Sequence, residues 1–298
     1  VTLDSAQLQT FAAVIREGSF DAAARALNVT ASAVSQRIKA LEQTAGQVLV
    51  RRAKPCVATA AGEPLLRLAG QVALLEREAL DAARGGVPEP AGETWTRLPI
   101  VVNADSLATW FLPALAAVPE AARLLFDVHQ DDEDYTAELL RSGTVMAAVT
   151  TQNVPVQGCR VQRLGTMRYL PVVAPGVRER WFPGGGSAEE FAYAPMLLLN
   201  RKDQLQHRFL RTLTRRSLDP PIHYIPSADA FNRAIGLGLG WALMPEPLAT
   251  AEITAGRVLR LPGRPVNVPL YWQHWKLESA ALTTLTTAVR DAAATALR

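Results

Sequence analysis

Two cysteines in 298 residues, Cys56 and Cys159, are too few and too far apart for a disulfide framework or a cysteine-based metal site, so both read as packing residues. The four histidines, His129, His207, His223 and His274, show no metal-ligand spacing with one another or with the cysteines. No apolar run reaches the ~18 residues of a membrane-spanning helix. The first residues are acidic and polar where an export signal has a basic and then an apolar region, and the expectation is a cytoplasmic protein with no membrane partner. There is no Gly-x-Ser-x-Gly elbow and no serine set beside a histidine as a catalytic pair, so no enzyme is expected. Gly236-Leu237-Gly238-Leu239-Gly240 has the look of a dinucleotide loop, but it follows a helical pattern and precedes a strand pattern. That order is the reverse of what phosphate binding needs, and a helix stop with a tight turn accounts for it. Arg211, Arg215 and Arg216 read as a solvated helix face.

What is present divides unevenly. The net charge is only +3, yet residues 1–60 hold seven Lys/Arg against four Asp/Glu, and residues 61–97 hold four against six. A modest basic excess fits a module that holds DNA by pairing or at a chosen site, because sequence-blind binders are usually far more basic. The length and apolar content suit two or three domains.

The basic end carries the most informative stretch, residues 19–42. Ser19 can cap a short helix whose apolar positions are Phe20, Ala23, Ala24 and Leu27, and Asn28 stops it. Thr30 or Ser32 can cap the next helix, whose inward stripe is Val34, Ile38 and Leu41. Ser32, Ser35, Gln36, Arg37 and Lys39 then face outward with the donors that reach phosphates and base edges from a major groove. Small residues at 22, 23, 24 and 26 let the two helices cross closely. An earlier stripe, Leu8, Phe11, Ala12 and Ile15 ended by Gly18, supplies a third helix to close the core. After Gly46, Val48 to Thr59 reads as two short strands around a Lys54-Pro55 turn, a wing with Arg51, Arg52 and Lys54 placed for phosphates. The candidate DNA contacts are Ser19, Thr30, Ala31, Ser32, Ser35, Gln36, Arg37, Lys39, Arg51 and Arg52.

Residues 61–84 change to one long helix with Leu65, Leu68, Val72, Leu75, Ala79 and Ala82 spaced as a heptad seam. At ~1.5 Å per residue it spans about 35 Å, and a second copy of itself is its natural partner. The Gly/Pro-rich stretch that follows reads as a hinge. From residue 98 strand and helix patterns alternate, with strands expected at Leu98 to Asn103, Arg123 to His129, Val145 to Val149, Tyr169 to Ala174, Met196 to Asn200, Ile222 to Pro226, Trp241 to Pro245 and Leu270 to Lys276. Asp105 and Ser106 can cap the helix after the first of these. Parallel sheets covered by helices are expected, with ligands beyond the C-terminal strand ends.

The whole order resembles a LysR-type transcriptional regulator, most specifically in Phe20-Asp21-Ala22-Ala23-Ala24-Arg25-Ala26-Leu27 and Val34-Ser35-Gln36-Arg37-Ile38-Lys39-Ala40-Leu41-Glu42. Asn103 to Trp110, the acidic run Asp131-Asp132-Glu133-Asp134 and Leu270-Tyr271-Trp272 are similar to the LysG/ArgP-type regulators. Two departures stand out: Ala31-Ser32 replaces the common Gln-Pro pair, which bears on base preference, and Val50 replaces the usual wing phenylalanine. The resemblance implies residues 1–60 as a winged helix-turn-helix, 61–84 as a dimerisation helix and 85–97 as a hinge. It implies an α/β effector domain like the periplasmic binding proteins, with one lobe from 98–165 and 268–298 and the other from 166–267. It also implies a homodimer or homotetramer, RNA polymerase as a partner, no cofactor, and control of a basic amino-acid exporter by lysine or arginine.

For such an effector, a helix N-terminus suits the carboxylate and acidic side chains suit the cations. Ser106 is the candidate for the first, and Asp105 with Asp131 or Asp132 for the second. Thr150 and Thr151 at a strand end, and Ser227 and Asp229 from the other lobe, complete the expected set. Acids in a first helical turn are also favoured by the helix dipole alone, which is the plain account of residues 131–134. A DNA-organising or replication-inhibiting protein with a vestigial pocket, and an enzyme or carrier fused to a DNA-binding head, remain as alternatives at this level.

Overall fold

A computed structural model describes residues 2–84, 95–130 and 133–298. The first three helices are α1 (Ser5–Glu17), α2 (Phe20–Ala26) and α3 (Ala31–Ala45), and their ends follow from local chemistry. Asp4, Ser19 and Thr30 each accept a backbone N–H of the first turn, at 3.0, 3.2 and 3.1 Å, and Gly18 and Gly46 end α1 and α3 in the left-handed region. Of the two capping residues expected for α3, Thr30 takes the role. Phe11, Val14, Ala23, Val34, Ile38 and Leu41 interlock in a core with no polar atom to satisfy. The hairpin β1 (Val50–Arg51) and β2 (Val57–Ala58) is tied to it by Glu42, whose Oε1 accepts the N–H groups of Leu49 and Val50 at 2.9 and 3.3 Å.

The long helix α4 (Glu63–Ala83) differs from its expected role of facing a second copy alone. Leu66 and Ala69 are buried in the core of the first three helices, and Leu74 is buried in the core of the second half of the chain. Leu65, Leu68 and Val72 pack partly buried on the first core, while Leu75 and Ala79 stay exposed. The reason is steric. Gly70 lets the Trp275 ring approach so closely that a Cβ would lie 3.0 Å from it, and Gly143 sits against the Arg67 backbone where a Cβ would lie at 2.5 Å. Arg67 donates to the Gln157 carbonyl at 3.2 Å. The Glu78 carboxylate accepts from Ser279 Oγ at 2.6 Å and from the Ala281 N–H at 3.0 Å, capping a helix of the second half. Loss of a charged cap costs ~1–2 kcal/mol. Glu78→Ala is therefore expected to lower the melting temperature by a few degrees in a calorimetric scan, and an unchanged transition would count against this junction as a stabilising one.

The second half begins with β3 (Thr96–Val102), α5 (Ala104–Ser106), a π-helical turn over Leu107–Phe111 and α6 (Leu112–Ala116). It continues through β4 (Leu124–Gln130), α7 (Glu133–Ser142), β5 (Ala147–Thr150) and β6 (Cys159–Val173). Next come α8 (Pro175–Trp181), α9 (Ala188–Tyr193), β7 (Met196–Leu198), α10 (Leu205–Leu213), β8 (Ile222–Tyr224) and α11 (Ala228–Gly236). It closes with β9 (Trp241–Pro245), α12 (Glu246–Thr254), β10 (Leu259–Arg260), β11 (Val266–Trp275) and α13 (Ala280–Ala296). The strands pair in the order β4-β3-β5-β11-β6-β9-β7-β8, with β10 on β6.

The expectation of parallel sheets is corrected. β3 is parallel to β4 and β5, and β7 to β8 and β9, but β11 runs antiparallel to β5 and β6, and β6 antiparallel to β9. The chain passes between the two groups of parallel strands once along β6 and back once along β11, so these two must oppose each other. The strands expected from Tyr169 and Leu270 are thus parts of two longer ones. Their pairing shifts register between Leu270 and Tyr271, opposite Gly165, whose φ of 152° and lack of a Cβ admit Leu297 of the C-terminal segment.

Candidate functional site

On the reading head, α3 turns Ala31, Ser32, Gln36 and Lys39 to solvent, with Thr30 exposed just before it and Ser35 half-buried. The hydroxyls of Ser19 and Thr30 are engaged as helix caps. Arg37 is half-buried and donates to Thr10 Oγ1 at 3.3 Å, so its guanidinium is steadied by α1. Arg51, Arg52 and Lys54 are exposed on the wing, and the Arg52 guanidinium lies 4.6 Å from the centre of the Phe20 ring at the start of α2. Exposed donors on one helix beside cationic side chains on a hairpin are what duplex phosphates and base edges require.

The second site is a cleft of about 580 Å³ beyond the ends of β3, β4 and β7. Asn103, Ala104 and Asp105 line it from the β3 side, Gln130 from the end of β4, Tyr169 from β6, and Asn200, Lys202, Asp203, Gln206 and Arg208 with Phe231 from the β7 side. Asp105 Oδ2 accepts the Tyr169 hydroxyl at 2.6 Å. Burial pushes the Asp105 carboxyl up to about 6 from an ordinary 3.8; the Tyr169 bond opposes this and the negative charge of Asp203 adds to it. Asp203 holds the turn after β7, accepting the N–H groups of Leu199 and Leu205 at 3.1 and 2.9 Å, while Asn200 Oδ1 accepts those of Lys202 and Asp203 at 2.8 and 3.1 Å. The arrangement offers a cationic ligand one desolvated carboxylate, with a second acid, amide side chains and the cationic Lys202 and Arg208 also on the lining.

Of the expected effector residues, Asp105 lines this cleft. Asp131 and Asp132 lie outside the described residues. Asp105 and Ser106 do not cap the following helix: Asn103 holds the N-cap position, without a side-chain bond, and both fall inside the first turn. Ser106 is thereby buried completely, away from the cleft lining. Thr150 is buried at the end of β5, its Oγ1 accepting the Gln152 N–H at 3.1 Å, and Thr151 follows it half-buried. Ser227 caps α11 and Asp229 is exposed in its first turn; neither lines the cleft, nor do Thr150 and Thr151. Asn103, Tyr169, Asp203 and Gln206 were not expected. The rule that ligands sit beyond C-terminal strand ends, applied to the strand starting at Met196, points to the Asn200-Arg201-Lys202-Asp203 turn.

Residues 5–63 match the bacterial regulatory helix-turn-helix protein, lysR family, and residues 91–294 match the LysR substrate binding domain. The chain belongs to the LysR family. The HTH-type transcriptional regulator LysG of Mycobacterium tuberculosis is 50% identical over 291 residues, 98% of this chain and 94% of that one. The lysine export transcriptional regulatory protein LysG of Corynebacterium glutamicum is 42% identical over 297 residues, 98% of each. A full-length structure of LysG from Corynebacterium glutamicum with bound effector Arg superposes with a TM-score of 0.78 at 40% identity, covering 99% of this chain and 100% of that one. This LysR-family chain is a DNA-binding transcriptional regulator and not an enzyme. The head lies within the first matched stretch, and the cleft within the stretch matched as substrate binding domain. Among the described residues no helix is long and apolar enough to cross a membrane.

Proposed function

We propose that this regulator binds a basic amino acid, arginine or lysine, in the cleft beside Asp105 and thereby controls transcription of an amino-acid exporter gene. The observation that carries the reading is the Asp105 carboxyl, half-buried on the cleft lining and pushed up to about 6 by desolvation. A cation beside it restores the ionised form and removes the cost of leaving it alone. The relative with bound Arg and the relative named for lysine export support the choice of ligand and of target.

The remaining steps are proposals of the same kind. Residues 1–60 read DNA through Ser32, Gln36, Lys39, Arg51 and Arg52, with Ser19, Thr30, Ala31, Ser35 and Arg37 setting the helix against the groove. The exposed side of α4, Leu75 and Ala79, pairs with a second copy, and the paired heads sit on two half-sites. Residues 98–165 with 268–298, and 166–267, act as two lobes hinged at β6 and β11. Effector binding favours one lobe arrangement, α4 carries the change to the heads through the Trp275 and Glu78 contacts, and RNA polymerase is recruited from the altered complex. Footprinting on the promoter of an amino-acid exporter gene tests this: arginine or lysine should change the protected half-sites. Identical footprints with and without either amino acid would remove the proposal.

A further inference from the structure

Asn103 stands at the N-cap of α5, where an asparagine ordinarily gives its side-chain oxygen to a backbone N–H of the first turn, yet here it makes no such bond. Its Oδ1 is buried and has no donor among the described residues. Gln206, the second residue of α10, is 1% exposed, and its Oε1 is likewise buried without a donor. A buried amide oxygen with no partner destabilises a fold and is uncommon unless a ligand or solvent uses it. These two follow strands from different halves of the sheet's strand order, β3 and β7, and line the same cleft as Asp105.

The geometry points to Asn103 and Gln206 as the residues that make the cleft prefer a guanidinium to a primary ammonium, and hence arginine to lysine. The inference rests on the reading of the cleft as a site for a basic amino acid. Three oxygen acceptors, one of them a carboxylate, offered from α5 and from α10 call for a cation whose donors are spread apart. A guanidinium presents five N–H groups in a plane, able to address a carboxylate on one edge and amide oxygens on the others. An ammonium projects three from a single nitrogen and is more strongly hydrated, so it serves acceptors on α5 and α10 together only where all of them come within reach of that one atom.

Isothermal titration of the full chain with L-arginine, L-lysine and L-citrulline tests this. The wild type should bind arginine at least tenfold more tightly than lysine, and citrulline more weakly than either. Gln206→Met, close in shape and lacking the acceptor, should weaken arginine about tenfold or more, change lysine less than threefold, and leave the melting temperature of the free protein unchanged or raised. Asn103→Ala should narrow the arginine-to-lysine ratio in the same direction, and it decides the matter if Gln206→Met does not fold. Equal wild-type affinities, or an unchanged ratio in the folded variants, would overturn the assignment while leaving the basic amino-acid reading in place. A wild type that binds neither amino acid would overturn both.

Discussion

Asp105→Ala is expected to weaken arginine and lysine binding by about two orders of magnitude while leaving the operator affinity of the free protein unchanged. A charge-assisted bond contributes ~1.5–3 kcal/mol, and stranding the ligand's cation in the cleft adds to that. Asp105 touches no part of the reading head, so the DNA term has no reason to move. The same residue fixes a pH dependence of unusual sign. Its carboxyl is raised from 3.8 to about 6, so the ionised form is disfavoured in the free fold. Its contribution therefore destabilises the free protein above pH 6, and the penalty is relieved as pH falls through 6 towards 4. Effector binding runs the other way, because the cation needs the carboxylate. Affinity should be about tenfold lower at pH 5 than at pH 7, with proton release on binding near pH 6. Asp105→Asn should flatten that profile. Titration calorimetry across the range decides it: arginine affinity that is level from pH 7 to pH 5 in the wild type would exclude Asp105 as the cation's partner.

Short-range features of this chain were legible because their causes are local. Ser19 and Thr30 cap their helices, Gly18 and Gly46 end theirs, and β9 runs from Trp241 to Pro245, all within reach of a few neighbouring residues. The Gly236 to Gly240 run ends α11, as its position between helix and strand requires. The heptad spacing of α4 was visible, but not which neighbours it would meet. A helix pressed between two parts of its own chain buries Leu66, Ala69 and Leu74, and no periodicity distinguishes those partners from a second copy. β6 read only as its apolar end, because Arg160 to Thr166 holds only half-buried and exposed positions, without a regular alternation. The cleft was the least legible part. Asp105 meets Tyr169 from 64 positions away, and Gln206 reaches the same space as Asn103 only after the sheet has formed. Ser106 was misplaced by a shift of the helix start: with Asn103 at the cap, a hydroxyl expected in the cleft is carried into the core.

Leu75 and Leu80, 40% and 55% exposed, are the large apolar side chains of α4 that the chain leaves open, with Ala79 exposed between them. Replacing both leucines by glutamate should split the protein into monomers and weaken operator binding by ~10²–10⁴-fold, the range lost when two linked heads become independent. The fold should survive, since neither side chain belongs to a core of its own chain, whereas a like change at Leu66 or Leu74 would bury a charge. That contrast separates assembly from stability. Sedimentation at low protein concentration should show the smaller species, and a gel-shift titration should show the affinity loss together with the loss of simultaneous protection at two half-sites. A Leu75→Glu, Leu80→Glu protein that sediments as wild type and binds the operator within threefold would mean the heads are paired by another surface. In that case α4 would serve only to hold the reading head against Trp275 and Glu78's partner Ser279.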